Sequence, residues 1–225
     1  MSKCDQCIVR QFNSLKALTK DELIRISGCK TSKLIKKGEL IFNEGETLKG
    51  VYCVKQGVCK LSKLSANGND QIVKLVVKGD LLGQRSLIGD ESANLSAIAL
   101  NDMEVCFIPK HEIIKDLEKN PNFSMSVLQE MAHDLRESDT VIVNMAQKSV
   151  KQRIAETLRY IHSSFGLDAN GYLNVVLSRE DYANMVGTAT ESTIRVLSQF
   201  KKEGLISTSG KQIKIENLEE LNRIK

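Results

Sequence analysis

The sequence predicts an α+β fold with three consecutive parts: an all-β N-terminal domain, one long helix, and a C-terminal helical domain that ends in a β-hairpin. Three observations lead to this prediction. Short β-branched runs separated by glycines fill residues 22–110, a helical pattern runs over residues 121–147, and two shorter helical patterns precede a hairpin pattern at residues 205–215. Evenly spaced short strands are typical of barrels and rolls, whereas apolar residues at steps of three and four indicate helices.

The composition is that of a globular protein. The 225 residues are 41% hydrophobic and 27% charged, and a chain of this length forms one large domain or two small ones. No apolar stretch of about 18 residues occurs, so we expect no membrane span and no membrane partner. The N-terminal letters MSKCDQC are not followed by an apolar run, so we expect no signal peptide and a cytoplasmic protein.

The net charge of +4 permits a nucleic-acid partner without requiring one. The sequence carries no phosphate-binding loop, no nucleophile elbow and no paired acid and base, so we expect no enzyme activity. Six cysteines in a chain without an export signal indicate thiols, metal ligands or redox sensors and not a disulfide framework.

The N-terminal part is punctuated by glycines at intervals of 7 to 12 residues, which mark the ends of short strands. They are Gly38, Gly45, Gly57, Gly68 and Gly79. The letters NGND at residues 67–70 are the strongest hairpin signal of this region. This spacing predicts an all-β barrel or roll.

The long helix carries a seam at alternating steps of three and four residues, which extends over about five helical turns. Its members are Leu128, Met131, Leu135, Ser138, Ile142 and Met145. Such a seam is typical of a coiled coil and predicts a homodimer interface. The alternative is a helix that packs only on its own domain.

The C-terminal part begins after a hinge near residues 147–149. Val150 starts an amphipathic helix, Ser178 with Asp181 predicts a capping box, and Thr188 with Glu191 predicts a second one after Gly187. The next helix is expected to stop at Gly204, before the hairpin letters LISTSGKQIKI. Helix, tight turn, longer helix and hairpin together predict a winged helix-turn-helix.

Two charged residues on the second of these helices are suited to base recognition. In such a motif this helix enters the major groove. There Glu191 can accept a hydrogen bond from the amino group of cytosine, and Arg195 can donate two hydrogen bonds to guanine. Thr190 and Ile194 lie on the same leading turns. The alternative is that Glu191 only caps the helix and pairs with Arg195, but the capped helix before it and the hairpin after it favour the DNA-binding interpretation.

The stretch from Leu177 to Ile215, with the roll and the long helix, resembles the Crp/Fnr family of bacterial transcription regulators. The resemblance covers essentially the whole chain. It implies a cyclic-nucleotide-binding-type β-roll (1–120), a dimerisation helix and hinge (121–147) and a DNA-binding domain (148–225). It also implies double-stranded DNA, a second copy of the chain and RNA polymerase as partners. The residues expected to contact DNA are Arg179, Thr188, Thr190, Glu191, Ser192, Ile194, Arg195, Ser209 and Lys211.

Within that family, the resemblance implies particular roles. Glu191 and Arg195 match the base-reading pair, and Arg179 and Lys211 match positions that contact the DNA backbone. The cyclic-nucleotide members place a glutamate after a glycine and then an arginine before a serine. Here Gln84 follows Gly83, and Asn94 stands where that arginine would be. We therefore do not expect cyclic AMP as the signal.

The cysteines resemble those of FNR-type oxygen sensors, which hold a [4Fe–4S] cluster. Cys4 and Cys7 match two of its ligands and Cys106 a third, but Asn13 stands where the sensor has another cysteine. Cys29 could supply the missing thiolate, whereas Cys53 and Cys59 fall in strand patterns as buried small side chains. The alternatives for Cys4 and Cys7 are zinc, thiol oxidation or no role.

Two function classes follow. The first is a homodimeric DNA-binding transcription regulator that responds to a redox, oxygen or small-molecule signal in the β-roll. The second is a cyclic-nucleotide-type sensor or protein-interaction module that does not act through DNA. The presence of Glu191 and Arg195 on the leading turns of a helix that follows Gly187 favours the first class.

Overall fold

The N-terminal residues fold into helices before the first strand begins. The structure, a computed structural model, describes residues 4–65, 68 and 70–224. Three short 3-10 helices occupy Cys4–Gln6, Ile8–Phe12 and Ser14–Ala17, and α1 follows at Lys20–Cys29. The expectation of strand texture from residue 22 is wrong for 22–29. There the backbone N–H of Glu22 donates to the Thr19 hydroxyl and that of Thr19 donates to the Glu22 carboxylate, which caps a helix.

Eight strands form two four-stranded sheets. Their bounds are β1 Thr31–Ile35, β2 Leu40–Phe42, β3 Gly50–Gln56, β4 Cys59–Leu64, β5 Asp70–Val76, β6 Leu81–Leu82, β7 Ser96–Ala99 and β8 Met103–Pro109. One sheet has the order β1-β8-β3-β6 and the other β2-β7-β4-β5. The roll predicted from the glycine spacing is present. Asn67 and Asn69 of the predicted NGND hairpin lie outside the described residues.

Among the described residues, two separate apolar cores stabilise this part of the chain. One lies among the strands and contains Val54, Val76 and Val105, each at most 1% exposed. The other joins the N-terminal helices to β3 and β8, and Ile26, Ile108 and Phe123 are buried in it. The N-terminal segment is therefore part of the folded domain, since Val9 and Leu15 also lie in this core.

The helices around the sheets are α2 (Gln84–Ile88), α3 (Lys110–Lys119) and α4 (Pro121–Gln147). The bounds of α4 coincide with those predicted from the helical pattern. Arg25 of α1 forms ion pairs with Glu112 and Asp116 of α3, and Asp116 is 1% exposed. These contacts link α1 to α3 through buried charges that have partners.

The C-terminal part contains α5 (Val150–Phe165), α6 (Arg179–Val186), α7 (Thr190–Lys202), the hairpin β9 (Ile206–Ser209) and β10 (Gln212–Ile215), and α8 (Leu218–Asn222). The core of this part is apolar, with Ile154, Leu158, Ile161 and Phe200 each fully buried. The predicted order of helices and hairpin is thus observed.

The chain divides into two compact units. One comprises Met1–Lys63 with Val73–Ser138, and the other comprises Leu64–Ile72 with Asp139–Lys225. No helix in the part of the chain that the structure describes has the length and apolar character needed to cross a membrane.

Candidate nucleic-acid interface and cysteine cavity

The turn between α6 and α7 is set by capping and by one glycine. The N–H of Asp181 donates to the Ser178 hydroxyl, as predicted, and α6 ends at Gly187 with φ 63°. The N–H of Thr188 donates to the carbonyl of Ala183, so Thr188 still belongs to the end of α6. The capping box predicted for Thr188 and Glu191 is therefore wrong: α7 starts one residue later, with Ala189 at its N-cap and no side-chain cap.

The two faces of α7 differ sharply. Thr193, Leu197 and Phe200 are buried, and their spacing of four and three places them on one side of the helix. Glu191, Ile194 and Arg195 are exposed on the other side. Ile194 is 46% exposed although it is apolar, so this face of the first two turns is not used by the core of its own domain.

Glu191 and Arg195 are not engaged with each other. A guanidinium nitrogen of Arg195 donates to the Ser192 hydroxyl over 3.3 Å. Within residues 70–224, the described stretch that contains both side chains, no ion pair joins Glu191 to Arg195. The alternative of an internal ion pair on this helix thus has no contact to support it, and both charged groups face solvent.

The wing lies beside the start of α6. Arg179 Nη2 donates to the carbonyl of Gly210 over 3.4 Å, and Gly210 turns the hairpin with φ 58°. Ser209 and Lys211 flank this turn and are exposed. Arg179, Ser209 and Lys211 therefore lie around one hairpin tip, while Thr188, Thr190 and Ser192 are half-buried near the start of α7.

The predicted seam of α4 has an exposed edge and a half-buried edge. Leu128, Leu135 and Ile142 are 58%, 64% and 66% exposed, respectively, and they follow one another at intervals of seven residues. Met131, Ser138 and Met145 form the half-buried edge. Met131 packs on the core of its own domain, and the Ser138 hydroxyl donates to the carbonyl of Asp134 over 2.9 Å. Large apolar side chains at heptad spacing in solvent are typical of an interface.

Four cysteines line one cavity next to the N-terminal core. They are Cys4, Cys7, Cys53 and Cys106. The sequence predicted three of them as a group and assigned Cys53 to the strand interior. Burial of Cys53 is observed, but its role as part of the cavity wall was missed. The strand pattern could not have revealed it, because the pattern gives the buried face and not the neighbouring side chains.

Backbone contacts position these thiols. The N–H of Cys4 donates to the Ser27 hydroxyl of α1 over 2.7 Å, and the N–H of Cys7 donates to the carbonyl of Cys4. Cys53 on β3 pairs directly with Cys106 on β8. Cys29, the tentative fourth ligand, is not among the residues that line the cavity, and its thiol lies 3.4 Å from the carbonyl of Ile26.

The chemistry of the donor set fits an iron–sulfur cluster. Four cysteine thiolates are the usual ligands of a [4Fe–4S] cluster. Within the described residues, no three His, Cys, Asp or Glu side chains already form a group that could hold a single metal ion. Burial, together with the neighbouring Cys106, raises the pKa of the Cys53 thiol to about 12. Ligation would therefore require displacement of a bound proton.

Two family models match this chain. A model described as cyclic nucleotide-binding domain matches residues 32–120, and one described as Crp-like helix-turn-helix domain matches residues 152–224. The chain is 28% identical over 223 residues to the fumarate and nitrate reduction regulatory protein of Vibrio cholerae, with 97% of this chain and 88% of that protein covered. It is 26% identical to the regulatory protein HlyX of Actinobacillus pleuropneumoniae, with 97% and 92% covered.

Solved structures share the fold. FixK2 from Bradyrhizobium japonicum is 26% identical, with a TM-score of 0.77 over 87% of this chain and 97% of that one. A CRP/FNR-family transcriptional regulator from Thermus thermophilus is 22% identical, with a TM-score of 0.73 over 85% and 96%. The fold of this chain, with its β-roll, long helix and winged helix-turn-helix, is therefore shared with solved structures.

Proposed function

We propose that this chain, which belongs to the Crp/Fnr family of bacterial transcription regulators, binds a two-fold symmetric DNA site as a homodimer and reads it with the first turns of α7. The observation that carries the proposal is the exposed face of α7, where Glu191, Ile194 and Arg195 stand free of the domain core while the opposite face is buried. A winged helix-turn-helix presents such a face to the major groove.

The residues divide by the part of DNA they suit. Arg195 carries a guanidinium that can bind guanine O6 and N7 together, and Glu191 can accept from the amino group of cytosine. Arg179 and Lys211 lie at the wing, where cationic side chains suit phosphates. Thr188, Thr190, Ser192 and Ser209 are hydroxyl residues close to these groups and complete the contact surface.

Dimerisation follows from the exposed edge of α4. Leu128, Leu135 and Ile142 would each meet their counterparts across a parallel helix pair, which would bury apolar surface that now faces solvent. A two-fold pair of α7 helices would then face half-sites about one DNA turn, roughly 10–11 base pairs, apart.

The signal is proposed to act on the cysteine cavity and not on a cyclic-nucleotide pocket. Gln84 and Asn94 lack the charges that would hold a ribose and a phosphate. The Gln84 side chain instead acts to lower the pKa of the Glu130 carboxyl on α4, and Asn94 offers its carbonyl to Lys63. When bound, an iron–sulfur cluster would supply a redox-sensitive link among the cavity thiolates.

A change at the cavity cysteines would act on the helices packed around them in the same domain. Cys4 is held on α1 through Ser27, and Cys106 belongs to the strand that leads into α3. The same core includes Val127 and Met131 of α4. A signal that changes how the thiols are held therefore acts on side chains packed against the helix that carries the proposed dimer seam.

Selection of binding sites from a random DNA library tests the proposal. Wild-type protein should enrich inverted repeats, and Arg195→Ala should lose the preference at one base pair of each half-site. Arg223→Ala is the matched control, because Arg223 is an exposed arginine of the same unit that pairs with Glu220 and lies far along the chain from α7. Wild-type protein that enriches no sequence would refute the proposal.

A further inference from the structure

We propose that Cys53 supplies the fourth sulfur ligand of the cluster site, together with Cys4, Cys7 and Cys106. This inference rests on the cysteine sensor of the proposed function. It assigns the fourth ligand, which is missing because Asn13 stands where FNR-type sensors have a cysteine. It replaces Cys29, which the sequence had favoured, with a residue of the β-roll.

The sheet places Cys53 beside Cys106. The two residues are directly paired on the antiparallel strands β3 and β8. Directly opposed side chains in such a pair lie on the same face of the sheet, with Cβ atoms about 4.5–5.5 Å apart. Both thiols therefore project from one face, and both line the same cavity. Two ligands of the proposed site therefore come from paired strands of the β-roll.

The N-terminal segment supplies the other two. Cys4 and Cys7 are three residues apart and are joined by a backbone hydrogen bond of 3.2 Å, so their side chains lie within one turn. The bond from the Cys4 N–H to Ser27 fixes this turn on α1. Cys4 is 8% exposed, and Cys4 and Cys7 line the same cavity as the two sheet residues.

Asn13 supports Cys53 and is not itself a candidate ligand. Its Nδ2 donates to the carbonyl of Gly79 over 2.7 Å and lies 3.6 Å from the Cys53 sulfur. Its Oδ1 accepts from the N–H of Leu15 over 3.0 Å. These partners fix the orientation of the amide, so its nitrogen and not its oxygen faces the Cys53 sulfur as an N–H donor. Donors of this kind stabilise a thiolate and orient it as a ligand.

The other cysteines are placed elsewhere. Cys59 belongs to the core among the strands, where it is fully buried. The Cys29 thiol donates to the carbonyl of Ile26, and burial together with the nearby Glu112 carboxylate raises the pKa of this thiol. All six cysteines are within the described residues, so Cys53 is the one thiol on the cavity besides the three that the sequence grouped.

The cavity also carries positive charge. Arg10, Lys30 and Lys55 line it together with the four cysteines. Thiolate ligands and bridging sulfides bring net negative charge to an iron–sulfur site, and cationic side chains nearby offset it. Lys55 also pairs with Glu104, which offsets part of its charge, whereas Arg10 and Lys30 add positive charge from other parts of the lining.

Anaerobic reconstitution of the full chain with ferrous iron and sulfide tests the assignment. Wild type and Cys29→Ser should each take up about four irons per chain and develop the same visible absorption. Cys53→Ser should lose that absorption or retain a smaller cluster with fewer irons. Circular dichroism of the metal-free proteins establishes that the variants fold.

A rescue separates loss of a ligand from general damage. Asn13→Cys in the Cys53→Ser background places a thiol in the space where Asn13 now touches the Cys53 sulfur, and it should restore the iron content. Cys53→Ser protein with wild-type iron and absorption would overturn the assignment of Cys53 and leave the cluster in place. Wild-type protein that takes up no iron would overturn both the proposed cluster and the assignment of Cys53. The DNA-binding proposal would be unaffected, because it rests on other residues.

Discussion

The side-chain nitrogen of Asn13 lies 3.6 Å from the sulfur of Cys53 and also donates to the carbonyl of Gly79, 66 residues away in sequence. Asn13 is 3% exposed, so this amide ties the N-terminal segment to the roll from inside the core. Asn13→Ala should lower the free energy of unfolding of the metal-free protein by about 1–3 kcal/mol, because the carbonyl of Gly79 and the N–H of Leu15 lose their partner.

Urea unfolding followed by circular dichroism measures that loss. Asn13→Asp is the comparison variant: it keeps an acceptor for Leu15 but replaces the donor to Gly79 and Cys53 with a carboxylate, so it should lose stability as well. An Asn13→Ala variant as stable as wild type would mean that water replaces these bonds without cost.

The sequence predicted part of this arrangement. The spacing of Cys4 and Cys7 and the resemblance grouped them with Cys106. Cys53 escaped because the partner of a strand residue depends on register, and Cys53 and Cys106 meet only through pairing across 53 residues of chain. Cys29 is near the right place in sequence, but helix α1 directs it to the carbonyl of Ile26.

The exposed edge of α4 predicts the effect of a charge in the seam. Leu135→Glu should weaken dimerisation at least tenfold, about 1.4 kcal/mol, because two like charges would meet across the helix pair. Leu34→Glu is the control, since Leu34 is 78% exposed on β1 and outside the seam. Sedimentation velocity at micromolar concentration should show a dimer for wild type and Leu34→Glu. A monomeric wild type would exclude the proposed interface.

Arg195 and Lys211 should give different binding profiles. Arg195→Ala should lose about 1–3 kcal/mol on the selected site and lose discrimination at one base pair per half-site. Lys211→Ala should weaken binding to all sequences alike and make the salt dependence shallower, because it removes a phosphate contact. Fluorescence anisotropy over a set of single-base substitutions and salt concentrations separates the two. Identical profiles for the two variants would show that the roles are misassigned.

The start of α7 shows where local sequence rules fail. Thr188 and Glu191 match a capping box, yet Thr188 is used in the left-handed end of α6 that Gly187 creates. The end of α6 at Gly187 and the predicted N-cap of α7 both require Thr188, and the tight turn after α6 uses it. For α1 the sequence carries a capping box at Thr19 and Glu22, and this local signal prevails over the β-branched texture that follows it.

Gly187 and Gly204 form a natural pair for separating backbone strain from crowding. Both follow a helix in this unit and have positive φ, 63° and 71°. A Cβ at Gly187 would lie 3.1 Å from the Met145 sulfur, whereas a Cβ at Gly204 meets nothing within 4 Å.

Gly204→Ala should cost about 1–2 kcal/mol from the left-handed backbone alone, and Gly187→Ala should cost more. Urea unfolding gives both values. Equal losses would mean that Met145 moves aside freely, and Gly187→Ala combined with Met145→Ala should then show no further gain.

The buried Glu130 carboxyl on α4, which interacts with Ser14 of the N-terminal segment, should make the stability of the protein depend on pH. Burial raises the pKa of its carboxyl above the ordinary 4.5, and the polar groups of Ser14 and Gln84 oppose this while Asp134 adds to it. A raised pKa means that the folded state binds the proton more tightly than the unfolded state. The contribution of Glu130 to stability is therefore largest below pH 4.5 and falls as the pH rises through the folded pKa.

Glu130→Gln cannot ionise, so its stability relative to wild type should increase with pH above about 4.5 and then level off. Urea unfolding of both proteins across this range measures the difference, and taking the difference cancels the parallel titrations of Asp80 and Asp116, whose pKa values burial also raises. A difference that stays constant with pH would show that Glu130 has the same pKa in the folded and unfolded chains.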